Sequence, residues 1–368
     1  MKIFISVDME GMAGITSPSQ EREETVSFRR ALHNQVRWII EGIQASEKNG
    51  EVEEITIADS HGSGRNLSYD ELSQMDDRIS LVSGSPRPQY MVACLDETYD
   101  VAFFAGYHAG PGEICANMDH SFYGKVVSCL KINGAYMNET VTNAAIAASY
   151  KVPVGLVIGD SGLRRQLIDK EMMPWVKFVT TKESLTRYAA KFQPQRKLRE
   201  DTICAVKEVL ASDLKKLPLY ETAVPAVLGI DFKSTAMADA VALTPGVRRL
   251  SGTEVEITCA DMKELACGIS ALTSLSGTAS QESRNLYPAA RSRGRTPPEA
   301  AHDRHMKGGN LNHVWKSDPG SPEEKRNDFE TGRRRDRIYH RAYLPDRTES
   351  EISVAFCPEK DRRLPGML

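Results

Sequence analysis

Apolar residues in the first 160 positions form short, nearly continuous runs between polar turns, together with one long amphipathic stretch. Short apolar runs are typical of strands that are buried on both faces of a parallel sheet. Residues 20–48 instead carry apolar side chains at helical spacing, which predicts a long helix that stops near Gly50. The predicted strands cover residues 2–8, 54–58, 81–82, 100–106, 126–132 and 154–158, and two further helices cover 89–95 and 139–150.

This alternation of strands and helices predicts an α/β fold, with a mostly parallel sheet flanked by helices and right-handed crossovers. The pattern is less regular after residue 175, where a helix over 195–211 and strands over 224–231 and 253–259 precede a last helix that ends near Leu275. We therefore predict a first α/β domain over 1–160, a smaller α/β lobe over 161–276 and a tail over 277–368.

The predicted tail, residues 277–368, differs in composition from the rest of the chain. It is rich in Arg, Pro, Gly, Ser and Glu and poor in apolar residues, so it cannot bury enough surface to offset chain entropy and disorder is expected. The cluster Arg333–Arg335 leaves open an RNA-binding arm. Acidic residues dilute this basic patch and few aromatic residues accompany it, which favours a solvated tail.

Composition excludes several classes of function. The formal net charge of -3 over 368 residues gives no reason to expect nucleic-acid or membrane binding. No run approaches the roughly 20 apolar residues of a membrane span, and Asp8 and Glu10 interrupt the N-terminal run, so we predict no signal peptide. Seven scattered Cys residues without a CxxC motif indicate a reduced, cytoplasmic protein.

Carboxylates and imidazoles stand where the apolar runs end. Asp8 and Glu10 follow the first predicted strand, His61 follows the second, and His108 ends another. Open α/β sheets bind ligands in crevices at the carboxyl ends of their strands. Residues two apart on a strand share a face, so Asp8 and Glu10 can reach one site; the plainer interpretation of this pair is a solvated acidic loop or a helix cap.

Glu139 opens the next predicted helix and completes a set that suits two metals bridged by one carboxylate. Zinc accepts mixed imidazole and carboxylate ligands, and manganese or cobalt are alternatives. Paired metals are a common solution for hydrolysis. The candidate metal ligands are Asp8, Glu10, His61, His108 and Glu139. His120 remains as a candidate acid/base or oxyanion stabiliser, or as a loop histidine held by Asp119.

Two other functions stay open on these residues alone. Two metal ions that activate water could also catalyse the reaction of a metal-dependent phosphoesterase or of a non-peptide amidohydrolase. A non-catalytic binding or scaffold protein, with the tail recruiting RNA or protein, is the second alternative. A thiolate mechanism at Cys115 is disfavoured because nothing in its sequence context would lower a thiol pKa, and the chain has no Gly-x-Ser-x-Gly motif.

The ordered motifs resemble those of the M55 peptidases, the DppA-type D-aminopeptidases. The resemblance extends over residues 1–276. The similar segments are Ser6–Gly11, Asp59–His61, Gly106–His108, His120–Ser121 and Ile132–Gly134, followed by Glu139 and, near the end, Ala260–Met262.

This resemblance implies a dinuclear-zinc aminopeptidase that releases N-terminal D-amino acids from short peptides or amino-acid amides. It implies that Asp8 bridges two Zn²⁺ ions, that the other four candidate ligands complete the two sites, and that His120 is the catalytic histidine. It also implies a self-compartmentalised homo-oligomeric ring, a decamer, with active sites facing an inner channel. The first domain and the second lobe would then form one catalytic unit.

Overall fold

The computed structural model describes residues 1–22 and 26–286, and the side chains of 1–21 and 26–279. The strands are β1 (Lys2–Val7), β2 (Glu54–Asp59), β3 (Ile79–Val82), β4 (Val101–Tyr107), β5 (Val127–Ile132), β6 (Ala135–Tyr136), β7 (Val154–Gly159), β8 (Lys177–Thr180), β9 (Lys182–Thr186), β10 (Ala189–Phe192), β11 (Ala226–Phe232), β12 (Arg248–Arg249) and β13 (Glu254–Cys259). The α-helices are α1 (Ser19–Arg22), α2 (Val26–Gln44), α3 (Tyr69–Ser73), α4 (Glu139–Ser149), α5 (Ser161–Arg164), α6 (Gln195–Ala211), α7 (Thr235–Ala242) and α8 (Met262–Leu286).

Six parallel strands form the main sheet, in the order β3-β2-β1-β4-β7-β8. The chain builds this sheet outward from β1 to β3, then returns to the other side of β1 and builds outward again from β4. Connections from β1 and β4 therefore leave in opposite directions, which opens a crevice beyond the carboxyl ends of these two strands. The predicted α/β fold with a mostly parallel sheet is confirmed.

Both faces of the main sheet are covered, as its continuous apolar strands require. Along β1, Ile3 and Ile5 pack in one apolar cluster with residues of α2 and α6. Phe4 points to the opposite face and packs in a second cluster with residues of α4 and α8. The side-chain period of two thus lets one short strand supply both cores.

A second sheet of five strands is antiparallel, in the order β12-β13-β11-β5-β6. β9 and β10 form a separate hairpin. β5 and β6 precede residue 160 but belong to the second sheet, whereas β8 follows it and completes the first. The chain thus crosses between the sheets more than once, and the domain division at residue 160 stays a prediction.

One predicted helix is absent from the structure. The helix expected over 89–95 is wrong, because only a short 3-10 turn, Tyr90–Val92, forms there. Positive φ angles at Gln89, Tyr90 and Cys94 interrupt any longer helix. The amphipathic stretch 20–48 contains both α1 and α2, and residues 23–25 lie outside the described part.

The last helix, α8, continues to Leu286 and not to the predicted end near Leu275. Gly277 costs a helix only about 1 kcal/mol, and its missing side chain leaves room for the ring of Tyr123, which a Cβ would meet at 3.0 Å. The predictions for residues 287–368 lie outside the described residues. Within the described residues, no helix is long and apolar enough to cross a membrane.

Candidate metal centre

The ends of β1 and β4 approach each other unusually closely at two glycines. The Gly11 amide donates to the Gly106 carbonyl at 2.7 Å, and a Cβ on Gly11 would overlap the carbonyl of Tyr107. Gly106 has a φ of 79° and backs onto the carbonyl of Asp8. This contact brings the residues that follow β1 against those that follow β4.

Asp8 and Glu10 both point into the crevice after β1, as their spacing predicted. Their exposed fractions are only 2% and 4%. Buried Lys182 fixes the turn, because its Nζ donates to the carbonyls of Glu10 and Ile15 at 2.5 Å each. Burial lowers the pKa of Lys182 to about 7. Lys182 therefore anchors the backbone of this turn without using the side-chain oxygens of Asp8 or Glu10.

His61 is placed by the loop that follows β2. The Asp59 carboxylate accepts from the backbone amides of Asn66 and Leu67 at 2.6 and 2.8 Å, which closes this loop. The Nε2 atom of His61 lies 3.2 Å from Oε1 of Glu10, and its Nδ1 lies 3.5 Å from Oε1 of Glu21. Asp59 therefore has a structural role, while His61 faces the carboxylates.

His108 lies directly after β4 and is 1% exposed. Its Nδ1 lies 2.9 Å from the carbonyl of Ala109, so Nδ1 donates to this carbonyl and Nε2 is the nitrogen that faces the carboxylates. Nε2 lies 3.6 Å from Oδ2 of Asp8 and 3.4 Å from Oε1 of Glu139. An imidazole oriented by a backbone carbonyl is typical of metal-ligating histidines.

Glu139 enters the crevice from the first turn of α4. Asn138 caps this helix, since its Oδ1 accepts from the Val141 amide at 3.0 Å. Oε1 of Glu139 accepts from the Phe122 amide at 2.6 Å. The helix start that the sequence predicted here is confirmed, and it aims a buried carboxylate at His108.

His120 stacks on His108, with ring centroids 4.4 Å apart and an interplanar angle of 11°. Its Nδ1 lies 2.8 Å from the Met118 carbonyl, so Nε2 again faces the cluster, 3.8 Å from Glu10 and 3.9 Å from Glu139. The side chain is 17% exposed, compared with 1% for His108. All six predicted site residues therefore lie together, with His120 on the solvent side of His108.

The pKa directions show that this cluster requires positive charge. Burial, with Glu10 and Glu139 nearby, raises the pKa of Asp8 well above its usual value. Burial acts to lower the pKa of His61 and His108, but the surrounding carboxylates override it and raise the pKa of His61 to about 10 and that of His108 well above its ordinary value. Burial and His108 together lower the pKa of His120.

The donor atoms fit divalent metal ions. In the described part of the chain, four buried atoms of the cluster lack a hydrogen-bond partner: Asp8 Oδ2, Glu10 Oε2, His61 Nδ1 and His108 Nε2. Donor atoms of Asp8, Glu10 and His108 lie within 4.8 Å of one another, as do those of His108, His120 and Glu139. Carboxylate oxygens and neutral imidazole nitrogens suit zinc, although this geometry alone also admits His120 as a ligand.

The cluster opens into a cavity of about 1070 Å³. We call Asp8, Glu10 and Glu139 the acidic floor of this cavity. The lining residues are Asp8, Met9, Glu10, Ser17, Pro18, Glu21, Ser60, His61, Gly62, Tyr90, Met91, Met118, His120, Phe122, Tyr123, Gly124, Lys125, Glu139, Arg187, Tyr188 and Lys233. The volume exceeds that of a typical small-ligand pocket, which is about 300–1,000 Å³.

Fold and site together define a metal-dependent hydrolase, with its ligands gathered where the strand order of an α/β sheet reverses. The family model for M55 peptidases, described as D-aminopeptidase, matches residues 1–271. The chain therefore belongs to the M55 peptidase family, and the predicted family and enzyme class, a metallopeptidase, are confirmed.

A similar sequence and a similar solved structure agree with this assignment. A D-aminopeptidase of Bacillus subtilis (strain 168) is 31% identical over 287 residues, which cover 75% of this chain and 97% of the relative. A solved structure, described as the Zn-dependent D-aminopeptidase DppA from Bacillus subtilis, a self-compartmentalizing protease, matches with a TM-score of 0.68 and 27% identity. That match covers 75% of this chain and 98% of the solved chain.

Sequence reasoning missed two residues that support the centre. Lys182 stands among polar residues without a local pattern, and only the fold places it under the turn after β1. Glu21 lies on α1, far along the chain from His61, so only tertiary contact reveals the pair. For Glu21, the sequence offered one signal of a role, which was its position at the start of the amphipathic stretch 20–48.

Proposed function

We propose that this chain is a dinuclear-zinc D-aminopeptidase that removes N-terminal D-amino acids from short peptides or amino-acid amides. The observation that carries the proposal is the buried cluster of carboxylate and imidazole donors in a chain of the M55 family. The zinc dependence described for its structural relative supports the choice of metal.

In this proposal Asp8 would be the ligand shared by the two metals, the role that the resemblance to the M55 family implies. Its Oδ2 faces His108, and Glu10 and Glu139 both raise its pKa. Glu10 pairs with His61 at 3.2 Å and Glu139 pairs with His108 at 3.4 Å. We assign one pair to each metal.

Bound zinc ions would supply a more acidic water, polarise the scissile carbonyl and anchor the free amine. His120 is the proposed catalytic residue. Its Nδ1–H is held by the Met118 carbonyl, and its lowered pKa keeps Nε2 unprotonated near neutral pH. Nε2 is thus a base that can take a proton from the attacking water and return it to the departing nitrogen.

We also propose a homo-oligomeric ring, with a decamer as the expected assembly and active sites facing its channel. The support is the word self-compartmentalizing in the description of the structural relative. Such an enclosure would restrict substrates to short or unfolded peptides. The cytoplasmic location inferred from the cysteine pattern stays a prediction.

The test is turnover of matched D- and L-alanine p-nitroanilides and alanyl dipeptides by the purified full chain, with metal analysis of the same sample. We expect D-selective cleavage and about two metal ions per chain. Cleavage of phosphate esters but not peptides would favour the phosphoesterase alternative. Absence of both metal and turnover, together with salt-dependent RNA binding, would favour the binding protein.

A matched pair of variants ties any turnover to the cluster. Glu139→Gln removes one buried charge of the acidic floor at nearly constant shape, and should reduce metal content and activity together. Glu200→Gln makes the same chemical change on α6, where the side chain is 61% exposed, and should leave both unchanged. Full activity and metal content in Glu139→Gln would exclude Glu139 as a ligand.

A further inference from the structure

The cavity is lined by side chains of opposite charge. The acidic floor is buried, with Asp8, Glu10 and Glu139 between 2% and 4% exposed. Three cationic residues also line the cavity, and all three are exposed. We call these residues, Lys125, Arg187 and Lys233, the basic rim.

Two of the rim cations are tethered close to the catalytic histidine. A Cβ on Gly124 would lie 3.0 Å from ring atoms of His120, so the backbone at 124 packs against this ring. Lys125 is the next residue, with a Cα only about 3.8 Å from that of Gly124. The Nζ atom of Lys233 donates to the Gly124 carbonyl, and the Lys233 amide donates to the Val126 carbonyl at 2.9 Å.

The three cations are not equally available to a ligand. Arg187 forms an ion pair with Asp119, which is itself only 13% exposed, so its charge is largely compensated. Lys125 and Lys233 have no carboxylate partner among residues 1–21 and 26–279. The uncompensated positive charge of the rim is therefore concentrated at these two lysines. Lys125 follows Gly124, which packs against His120, and Lys233 follows β11 and is bonded to Gly124.

We propose that Lys125 and Lys233 form a subsite for the C-terminal carboxylate of a short peptide substrate, an inference that rests on the proposed aminopeptidase function. The acidic floor and its metals receive the amino end, and the two lysines receive the carboxylate end. Two or three extended residues span at most about 7–11 Å, so a dipeptide or tripeptide can present both ends within this one cavity. Charge complementarity of this kind favours the zwitterionic substrate over a neutral or amidated one.

The experiment compares D-alanylglycine with D-alanylglycinamide on the zinc-loaded full chain. We expect kcat/KM to be about threefold to tenfold higher for the free acid, the range for one or two exposed ion pairs. The difference should lie in KM, because binding of a remote carboxylate does not change between substrate and transition state.

The variant Lys125→Met should remove most of the preference for the free acid over the amide. The double variant, Lys125→Met with Lys233→Met, should remove all of it. Lys125→Arg should retain it, because the charge remains. The matched control is Lys207→Met, which removes an exposed lysine of α6 outside the cavity, and it should keep the wild-type preference.

The possible outcomes separate the two proposals. Equal cleavage of acid and amide would overturn the carboxylate subsite and leave the aminopeptidase function standing, whereas cleavage of neither would overturn both. A third substrate, the α-amide of D-alanyl-L-glutamic acid, carries its carboxylate on a side chain. If it matches D-alanylglycine, the lysines accept a carboxylate in either position, and a subsite specific for the C-terminus is excluded.

Discussion

The acidic floor and the basic rim line one cavity, but the charges of the floor are buried and those of the rim are exposed to solvent. Floor carboxylates are buried and lie within 4 Å of imidazoles, and their pKa values depend on one another. Rim cations are exposed to solvent. Buried charges interact strongly and exposed ones are screened, so chemistry belongs to the floor and substrate preference to the rim.

The largest effect is expected for Asp8→Asn, which breaks the floor at its centre. Loss of the proposed shared ligand should reduce kcat/KM on the order of 10³-fold or more, because the bound metals would supply the reactive water. Metal analysis should give fewer than two ions per chain. Asp201→Asn, in an exposed i,i+4 pair with Lys197, is the control, and an equal loss there would mean that the effect is not specific to the floor.

Replacing each of the two stacked histidines, which contact carboxylates of the floor, sharpens the comparison further. His120→Asn should lower kcat by about 10²- to 10⁴-fold, the usual contribution of a positioned acid/base, and should keep its metal. His108→Asn should lose metal as well as activity. Metal analysis of both proteins decides the assignment: if His120→Asn loses as much metal as His108→Asn, His120 is a ligand and not the base.

Gly11→Ala tests the contact that brings the floor together. Its Cβ would overlap the Tyr107 carbonyl, so β1 and β4 must move apart, and we expect the free energy of unfolding to fall by about 3 kcal/mol. Gly50→Ala has no heavy atom within 4 Å of the new Cβ and should change it by less than about 0.5 kcal/mol. Urea denaturation measures both, and equal stabilities would contradict the close approach.

The smallest effect concerns the rim and its exposure to salt. Raising the ionic strength from about 0.05 M to about 0.5 M shortens the Debye length to a few ångströms, so the preference for D-alanylglycine over its amide should fall roughly twofold to threefold. Metal content should not change, since the floor is buried. A preference that is insensitive to salt would mean that something other than exposed charge produces it.

The sequence predicted the regular strands and the chemistry at their ends well. Continuous apolar runs became β1, β2, β4 and β7, and Asn138 before Glu139 marked the start of α4. Prediction from the sequence failed where contacts between distant residues determine the backbone conformation. Positive φ angles at Gln89 and Tyr90 replaced a predicted helix, and β8 to β10 had no clear apolar pattern.

The sequence by itself determined the fold class, the family and the six residues of the candidate site, because apolar periodicity and strand-end motifs are local properties of the chain. Only the tertiary structure decided which strand ends meet, through the strand order that places β1 beside β4. It also placed Lys182 under Glu10 and Lys233 beside Gly124. These contacts join residues distant in sequence, and packing, not local propensity, selects such contacts.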